Sequence, residues 1–543
     1  MLKNKVLLLS NETKLNHNFF DGYAFSGSDL ICGNKGFYKY IAEGNSFESE
    51  ADGNYLKITV TETETTISRD NHGFYPIFYS IIGDKWVISN SFVAIFEELK
   101  SKSIDLHLNI ALLQSWNSDL ALTLQASSFD TFIDEIKLLP STHYFKVINN
   151  RLHVLKIQKK EFGNYISNLN SLLRNWRSRI NTILNNNLFL RVDLTGGVDS
   201  RSVFSFFAHD NLIQRSIRSG NLMIFSDKRH KEDYCVAEEI AKLLDFQINT
   251  PFNKCAPNTN QTANEQLTNW INFNISRYSS FVVPPDRFNS NKIFFGGEGG
   301  EELRYFYGYH SNPPITNFSD YLTIYKPYFS KDVYFEEWLS SIKTSIKILK
   351  QNWSNVDDSI IHYREFRSNH HTNKAPRTQF KFGILSSKDA WNLALSSKNE
   401  DFERNQILFD VINSNNYKLM HIPYDSEDKK PTFEAIRYLT QLKVDYSGYG
   451  STFIDDSQID DDYFRDERAA EIDIEEDILK SLIRSFDLTK MRDQIIDLCG
   501  ERFYNKCVIR KKELSIHKGS YNIHAKGSFL HNLFIIKYLI NRM

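Results

Sequence analysis

Residues Arg191-Val192-Asp193-Leu194-Thr195-Gly196-Gly197-Val198-Asp199-Ser200-Arg201 run from an apolar strand through a double-glycine turn to an acid and a hydroxyl at the mouth of a helix. Two glycines let the backbone approach phosphate oxygens, Thr195 and Ser200 add hydroxyl donors, and the helix that follows offers unpaired N–H groups and the positive end of its dipole. In such a loop Asp199 is placed to hold a magnesium ion against the phosphates. An ordinary strand-turn-helix corner carries the same short string, so a second element has to decide between the two. It follows another apolar strand, Lys292 to Phe295, as Gly296-Gly297-Glu298-Gly299-Gly300-Glu301-Glu302. Two glycine-and-carboxylate loops at the carboxyl ends of strands in one open α/β sheet face the same crevice, which is where ligands bind in that architecture. The pair suits a magnesium-bound nucleotide.

The rest of the chain sets limits on this reading. It has 543 residues and a net charge of −2, enough length for two or more domains and no basic excess that would point to nucleic acid or a membrane surface. Cys32, Cys235, Cys255, Cys499 and Cys507 show no paired spacing, so neither a disulfide framework nor a zinc knuckle is expected, and a reducing cytoplasm is the default location. The N-terminal apolar run Val6 to Leu9 has no cleavage signal behind it. The stretch Phe529 to Ile540 is broken by His531, Asn532 and Lys537 and reads as a docked terminal helix, not a bilayer span.

Local patterns divide the chain at about residue 157. Residues 1–157 are rich in β-branched and aromatic types, and the period-2 stretch Tyr55 to Ile67 predicts stacked strands in an all-β or sandwich-like layer. Residues 158–543 open with Ile166, Leu169, Leu172, Leu173, Trp176, Ile180 and Ile183 at three- and four-residue spacing, an amphipathic helix leading into a Leu188 to Leu194 strand. A further strand, Leu222 to Phe225, is followed by Ser226 and Asp227, which suit simple turn chemistry. From 320 to 500 the pattern is helical, with Trp338, Ile342, Ile346, Leu349, Leu385, Trp391, Leu393 and Leu395 as candidate core. Twelve acidic residues between Asp455 and Asp477 read as a solvated face.

These loops resemble those of the asparagine synthetase family, whose synthetase domain carries Ser-Gly-Gly-x-Asp-Ser and Gly-Glu-Gly-x-Asp-Glu; the matching segments are Thr195 to Ser200 and Gly297 to Glu302. Thr195 replaces a serine, and Glu301 stands where an aspartate is expected. Arg69-Asp70-Asn71-His72-Gly73-Phe74-Tyr75-Pro76-Ile77-Phe78-Tyr79 and Ile136 to Tyr144 resemble two motifs of the family's first domain, so the resemblance reaches both halves. It implies an α/β and α+β chain: a layer of the N-terminal-nucleophile hydrolase type over 1–157, then an ATP pyrophosphatase domain over 158–543 with a doubly wound parallel sheet and a helical C-terminal part. In the family the first layer hydrolyses glutamine with a cysteine at position 2; Leu2 stands there, and no glutaminase activity is expected.

The resemblance also implies roles for individual residues. Leu194, Thr195, Gly196, Gly197, Asp199, Ser200, Ser226 and Gly297 are the expected nucleotide contacts, and Asp199 and Glu301 the metal ligands. Near the C-terminus Arg510 to Glu513 matches an Arg-x-Lys-Glu of asparagine synthetases and marks Lys512 as the catalytic cation. Lys511 is the alternative, and the overlay of Leu514 to Ser520 on β-lactam synthetases puts Glu513 at that place. A cation suits a reaction whose leaving pyrophosphate and tetrahedral intermediate both gather negative charge. Glu298 is the candidate for orienting or deprotonating an amine, with a second magnesium contact as its other role. The implied activity is ATP-dependent, AMP- and pyrophosphate-forming amide ligation between a carboxylate on a small molecule, glycan or peptide and an amine. A separate ammonia source or leader-binding partner would fit it. The rivals are a non-catalytic nucleotide-binding scaffold and free-ammonia asparagine synthesis. A sulfur- or tRNA-modifying enzyme would need Cys-x-x-Cys or a basic face, and neither is found.

Overall fold

Alternating burial builds the first layer. Asp52–Val60 and Glu64–Arg69 pair as an antiparallel hairpin with Ile58 opposite Ile67. The computed structural model describes residues 6–158, 162–186, 188–209, 212–218, 220–250, 272, 289–308, 315, 317–369, 379–444, 448–454, 486–516, 532–533 and 535–539. Among these, ten strands precede residue 157: β1 (Leu8–Ser10), β2 (Phe19–Ser26), β3 (Asp29–Cys32), β4 (Asp52–Val60), β5 (Glu64–Arg69), β6 (Phe78–Ile82), β7 (Lys85–Ser89), β8 (Lys137–Leu138), β9 (His143–Ile148) and β10 (Arg151–Lys156). They form a sheet of order β1-β7-β6-β8 and a larger one running β10-β9-β5-β4-β2-β3. Leu56, Ile58, Ile67 and Phe145 of the larger sheet pack against Trp86 and Ile88 of the smaller, the sandwich arrangement that period-2 strands favour. The layer is not all-β, because Gly33–Ala42, Phe92–Ser101 and Ile110–Ser115 are helices. Phe92, Val93, Phe96 and Leu99 are buried at helical spacing, a short period masked by the β-rich composition around it.

A second layer holds a parallel sheet of order β12-β11-β13-β14, from β11 (Phe189–Asp193), β12 (Leu222–Phe225), β13 (Asn289–Phe295) and β14 (Gln379–Lys381). The helix before it spans Tyr165–Asn185, with Asn164 Oδ1 accepting from Ser167 N at 2.9 Å as its cap. Its expected apolar face is buried except for Ile166, 49 % exposed in the first turn. The candidate core of the helical region, from Trp338 to Leu395, is buried throughout. Two short strands interrupt that region, contrary to the all-helical expectation. One is β14; the other, β15 (Thr452–Ile454), joins the larger sheet of the first layer parallel to β3. Three-residue strands carry too little period to be read locally. The acidic stretch Asp455 to Asp477 lies outside the described residues.

Aromatic packing fuses the layers. Trp176 is fully buried, with ring centroids 6.0 Å from Phe25 on β2, 6.0 Å from Phe295 on β13 and 6.2 Å from Phe382. Tyr23 covers the open edge of the parallel sheet, its hydroxyl donating to Lys381 O at 2.9 Å and accepting from Lys381 N at 3.0 Å. An unpaired edge strand is thereby satisfied by the first layer. Among the described residues the result is a mixed α/β protein with three sheets, and no helix among them is long and apolar enough to cross a membrane. Leu533, Ile535, Ile536 and Leu539 near the C-terminus are buried in the core, as are Cys32, Cys499 and Cys507, whereas Cys235 is exposed.

The seat of β15 is narrow. A Cβ on Gly36 would lie 2.1 Å from Phe453 O, so Gly36→Ala must push β15 out or strain the helix, at about 1–3 kcal/mol. Urea unfolding should show that loss, and an unchanged midpoint would mean β15 is not docked there.

Candidate active site

Strand β11 delivers Leu194, whose N–H donates to Phe225 O at 2.8 Å and keeps the first loop tied to β12. Thr195 and Ser200 close the loop on itself, with hydroxyls 2.7 Å apart and Thr195 N donating to Ser200 Oγ at 3.1 Å. The helix Val198–Ser205 starts with no side-chain cap, which leaves first-turn N–H groups for a ligand. The two glycines do different work. Gly196 is a packing position: its N–H donates to Asp233 Oδ1 at 2.8 Å, and a Cβ there would come 2.5 Å from Asp425 Cβ. Gly197 is open, since its Cβ would meet nothing nearer than Thr195 Oγ1 at 3.7 Å. Behind the loop, buried Arg201 donates to Leu419 O, Ile422 O and Pro423 O at 3.1, 2.8 and 2.7 Å and stacks on Tyr424 at 3.7 Å.

The second loop leaves β13 and abuts the first. A Cβ on Gly297 would be 2.7 Å from Ser200 N, and one on Gly300 would be 2.1 Å from Asp199 Oδ1. Gly299 adopts φ +92°, a conformation glycine reaches without strain. Glycine is thus required where the loops touch. Arg304 bridges their acids: Nε is 3.2 Å from Asp199 Oδ1, Nη2 is 2.8 Å from Asp199 Oδ2, and Nη2 is 3.5 Å from Glu301 Oε1. Burial, and after it the Asp199 charge, push the Glu301 carboxyl up to about 7 against the pull of Arg304. Burial alone would lower the Arg304 guanidinium, but Asp199 and Glu301 outweigh it and raise it.

The neighbouring carboxylates face elsewhere. Glu298 folds over Gly296 and pairs with Lys381 Nζ. Glu302 points away from the crevice and is buried, both its oxygens 2.9 Å from His72 Nε2 and one accepting from Ser368 Oγ. Arg364 lies 3.9 Å from it, fully buried against the rings of Trp353 and Trp391 at 4.6 and 4.7 Å. Ser226 is held by Asn249 through N–H to Oδ1 and Nδ2 to O bonds, both 2.9 Å, while its buried Oγ has no hydrogen-bond partner among the described residues. Lys512 is exposed on the helix Glu501–Ile516, Lys511 donates to Phe486 O, and Glu513 pairs with Arg510 at 2.8 Å. That helix is anchored on the first layer through Lys506 Nζ to Asn117 O, at 2.7 Å.

The structure therefore joins Thr195 to Ser200 with Gly297 to Glu301 in one crevice and ties Glu298 to its wall. Lys512 it places on a surface helix. Arg304, Lys381 and His72 are the charged and polar partners that sequence reasoning did not single out; Arg304 had only the signal of a cation three residues after Glu301. A divalent ion fits the donor chemistry of two converging carboxylates completed by phosphate oxygens, and the Arg304 guanidinium marks a position that already favours positive charge. No three His, Cys, Asp or Glu side chains converge among the described residues.

No family model matches the chain, and no curated relative matches it. Among solved structures, one described as the allosteric regulatory enzyme of purine biosynthesis is similar at 9 % identity and TM-score 0.16, covering 33 % of this chain and 39 % of its own. Glutamine phosphoribosylpyrophosphate amidotransferase from B. subtilis, complexed with ADP and GMP, is similar at 10 % identity and TM-score 0.15, covering 34 % and 42 %. The chain thus spans about two fifths of each of these structures, and similarity at this level does not establish a shared fold.

Glu302 is the testable anchor of the second loop. Glu302→Ala removes a carboxylate from beside fully buried Arg364 and should cost about 3–5 kcal/mol in denaturant unfolding, with Glu302→Gln costing less. A loss below about 1 kcal/mol, the range of exposed pairs, would show that the buried pair does not hold the loop.

Proposed function

We propose that the chain is an ATP-dependent amide ligase that activates a carboxylate as its adenylate, releases pyrophosphate, and passes the acyl group to an amine. The observation that carries this reading is the contact of the two glycine loops, Gly297 against Ser200 and Gly300 against Asp199, which gathers backbone N–H groups, hydroxyls and two acids at the carboxyl ends of β11 and β13. Thr195, Gly196, Gly197 and Ser200 would hold the phosphates, with Leu194, Ser226 and Gly297 lining the rest of the nucleotide. Asp199 and Glu301 would hold Mg²⁺, which when bound supplies charge neutralisation for the departing pyrophosphate. Glu298, kept in place by Lys381, would orient the incoming amine, and Lys512 would balance charge on the tetrahedral intermediate. The acid is a small molecule, glycan or peptide, closed on its own amine or joined to a separate one, including free ammonia.

One observation favours the rival reading of a non-catalytic nucleotide-binding scaffold: Arg304 engages both oxygens of Asp199. Turnover separates the two readings. The chain with ATP, Mg²⁺ and a panel of aspartate, uronic-acid glycans and peptides should form AMP and pyrophosphate with one acid, and Asp199→Ala should abolish this. ADP in place of AMP would refute the mechanism, and nucleotide binding without products would favour the scaffold. Glu298→Gln should leave AMP formation within about threefold while slowing amide formation by about 10²-fold or more, the usual span of a lost general base; equal loss of both steps would remove Glu298 from that role.

A further inference from the structure

Arg304 lies outside both glycine motifs, yet it is the group on which the two loops converge. Its fork takes Oδ1 and Oδ2 of Asp199 together, at 3.2 and 2.8 Å, and reaches Glu301 Oε1 at 3.5 Å. Those oxygens are the atoms with which a carboxylate grips a divalent ion, and a bidentate guanidinium is the side-chain group that best satisfies the same geometry. Gly300 packs along the same side chain, so closely that a Cβ there would be 2.1 Å from Oδ1 and 2.7 Å from Cβ of Asp199. The three side chains are 19, 20 and 22 % exposed, so the pair is not the fully solvated surface contact that contributes almost nothing.

We propose that Arg304 is a tethered cation standing in the divalent-metal position of this crevice, so that the guanidinium and a metal ion are alternatives at Asp199. The chain alone then excludes divalent ions, and one binds only once the guanidinium leaves Asp199. A phosphate group is the fitting chemistry to draw it away, being the other partner that its fork recognises bidentately. This rests on the nucleotide reading for what displaces Arg304; the exclusion itself rests on Asp199, Glu301 and Arg304 alone.

Mn²⁺ titrated into the full chain without nucleotide, and followed by the electron paramagnetic resonance signal of the free ion, tests it. Arg304→Gln should bind one Mn²⁺ at least about tenfold more tightly than the wild-type chain, since a positive charge beside two carboxylates is removed. Adding Asp199→Asn should abolish that site, while Arg304→Lys, which keeps the cation, should behave as wild type. Equal Mn²⁺ affinity in the wild-type and Arg304→Gln chains, no binding by either, or a site that survives Asp199→Asn would overturn the proposal. Because no nucleotide or turnover enters the measurement, a chain that makes no AMP would sink the ligase reading and leave this result standing.

Discussion

A carboxylate buried between two layers holds this site together. Glu302 follows Glu301 in the second loop, and its oxygens meet His72 from the first layer and Ser368 from the helical turn Tyr363–Ser368, with Arg364 of that turn 3.9 Å away. An ion removed from water tolerates few alternative arrangements once its partners are in place. Glu302 is held inward, while its neighbour Glu301 reaches the Arg304 guanidinium beside Asp199.

The loop that presents His72 is itself rigid. Asp70 accepts from the N–H groups of Gly73, Phe74 and Tyr75 at 2.7, 2.8 and 2.8 Å, and Arg69 donates to Tyr75 O at 2.9 Å. The Arg-Asp-x-x-Gly string of the first layer thus has a structural role whatever that layer catalyses: it makes a stiff hook that reaches the second layer. Arg364 extends the same contact, donating to Asn71 O at 3.2 Å and to Ser141 Oγ at 3.3 Å, while Glu365 accepts from Ser141 N at 2.8 Å. The π-helical turn that carries Arg364 and Glu365 is wholly buried, and such turns persist where side chains must be aimed against the regular helical register.

Two adjacent acids therefore have opposite surroundings. Glu302 is met by His72, Ser368 and Arg364, whereas Glu301 shares the Arg304 guanidinium with Asp199 and has a hydrogen bond from Tyr363, and its carboxyl is pushed up to about 7 by burial and then by the Asp199 charge. The open glycine, Gly197, lies beside this charge at the start of an uncapped helix, where bound anions find paired donors and a favourable dipole.

What could be read in the chain was what depends on near neighbours. The strand before Thr195, the Leu222–Phe225 strand, the Tyr165–Asn185 helix and the loops around Gly197 and Gly299 follow from side-chain period and turn chemistry, which act over a few residues. The strands Gln379–Lys381 and Thr452–Ile454 were not legible, because three residues carry no period and their pairing comes from distant β13 and β3. The same limit applied to the site. The loops and their acids were visible, but the partner of each acid was not: Arg304 is 105 residues from Asp199, Lys381 is 83 from Glu298, and Glu302 is 230 from His72. Among 65 lysines and arginines, no local rule selects which one meets a given carboxylate. The sequence by itself determined the shapes of the two loops and the chemistry they offer; only the tertiary structure decided that Arg304 stands between their acids, because that choice depends on the pairing of β11 with β13, which brings together loops about a hundred residues apart.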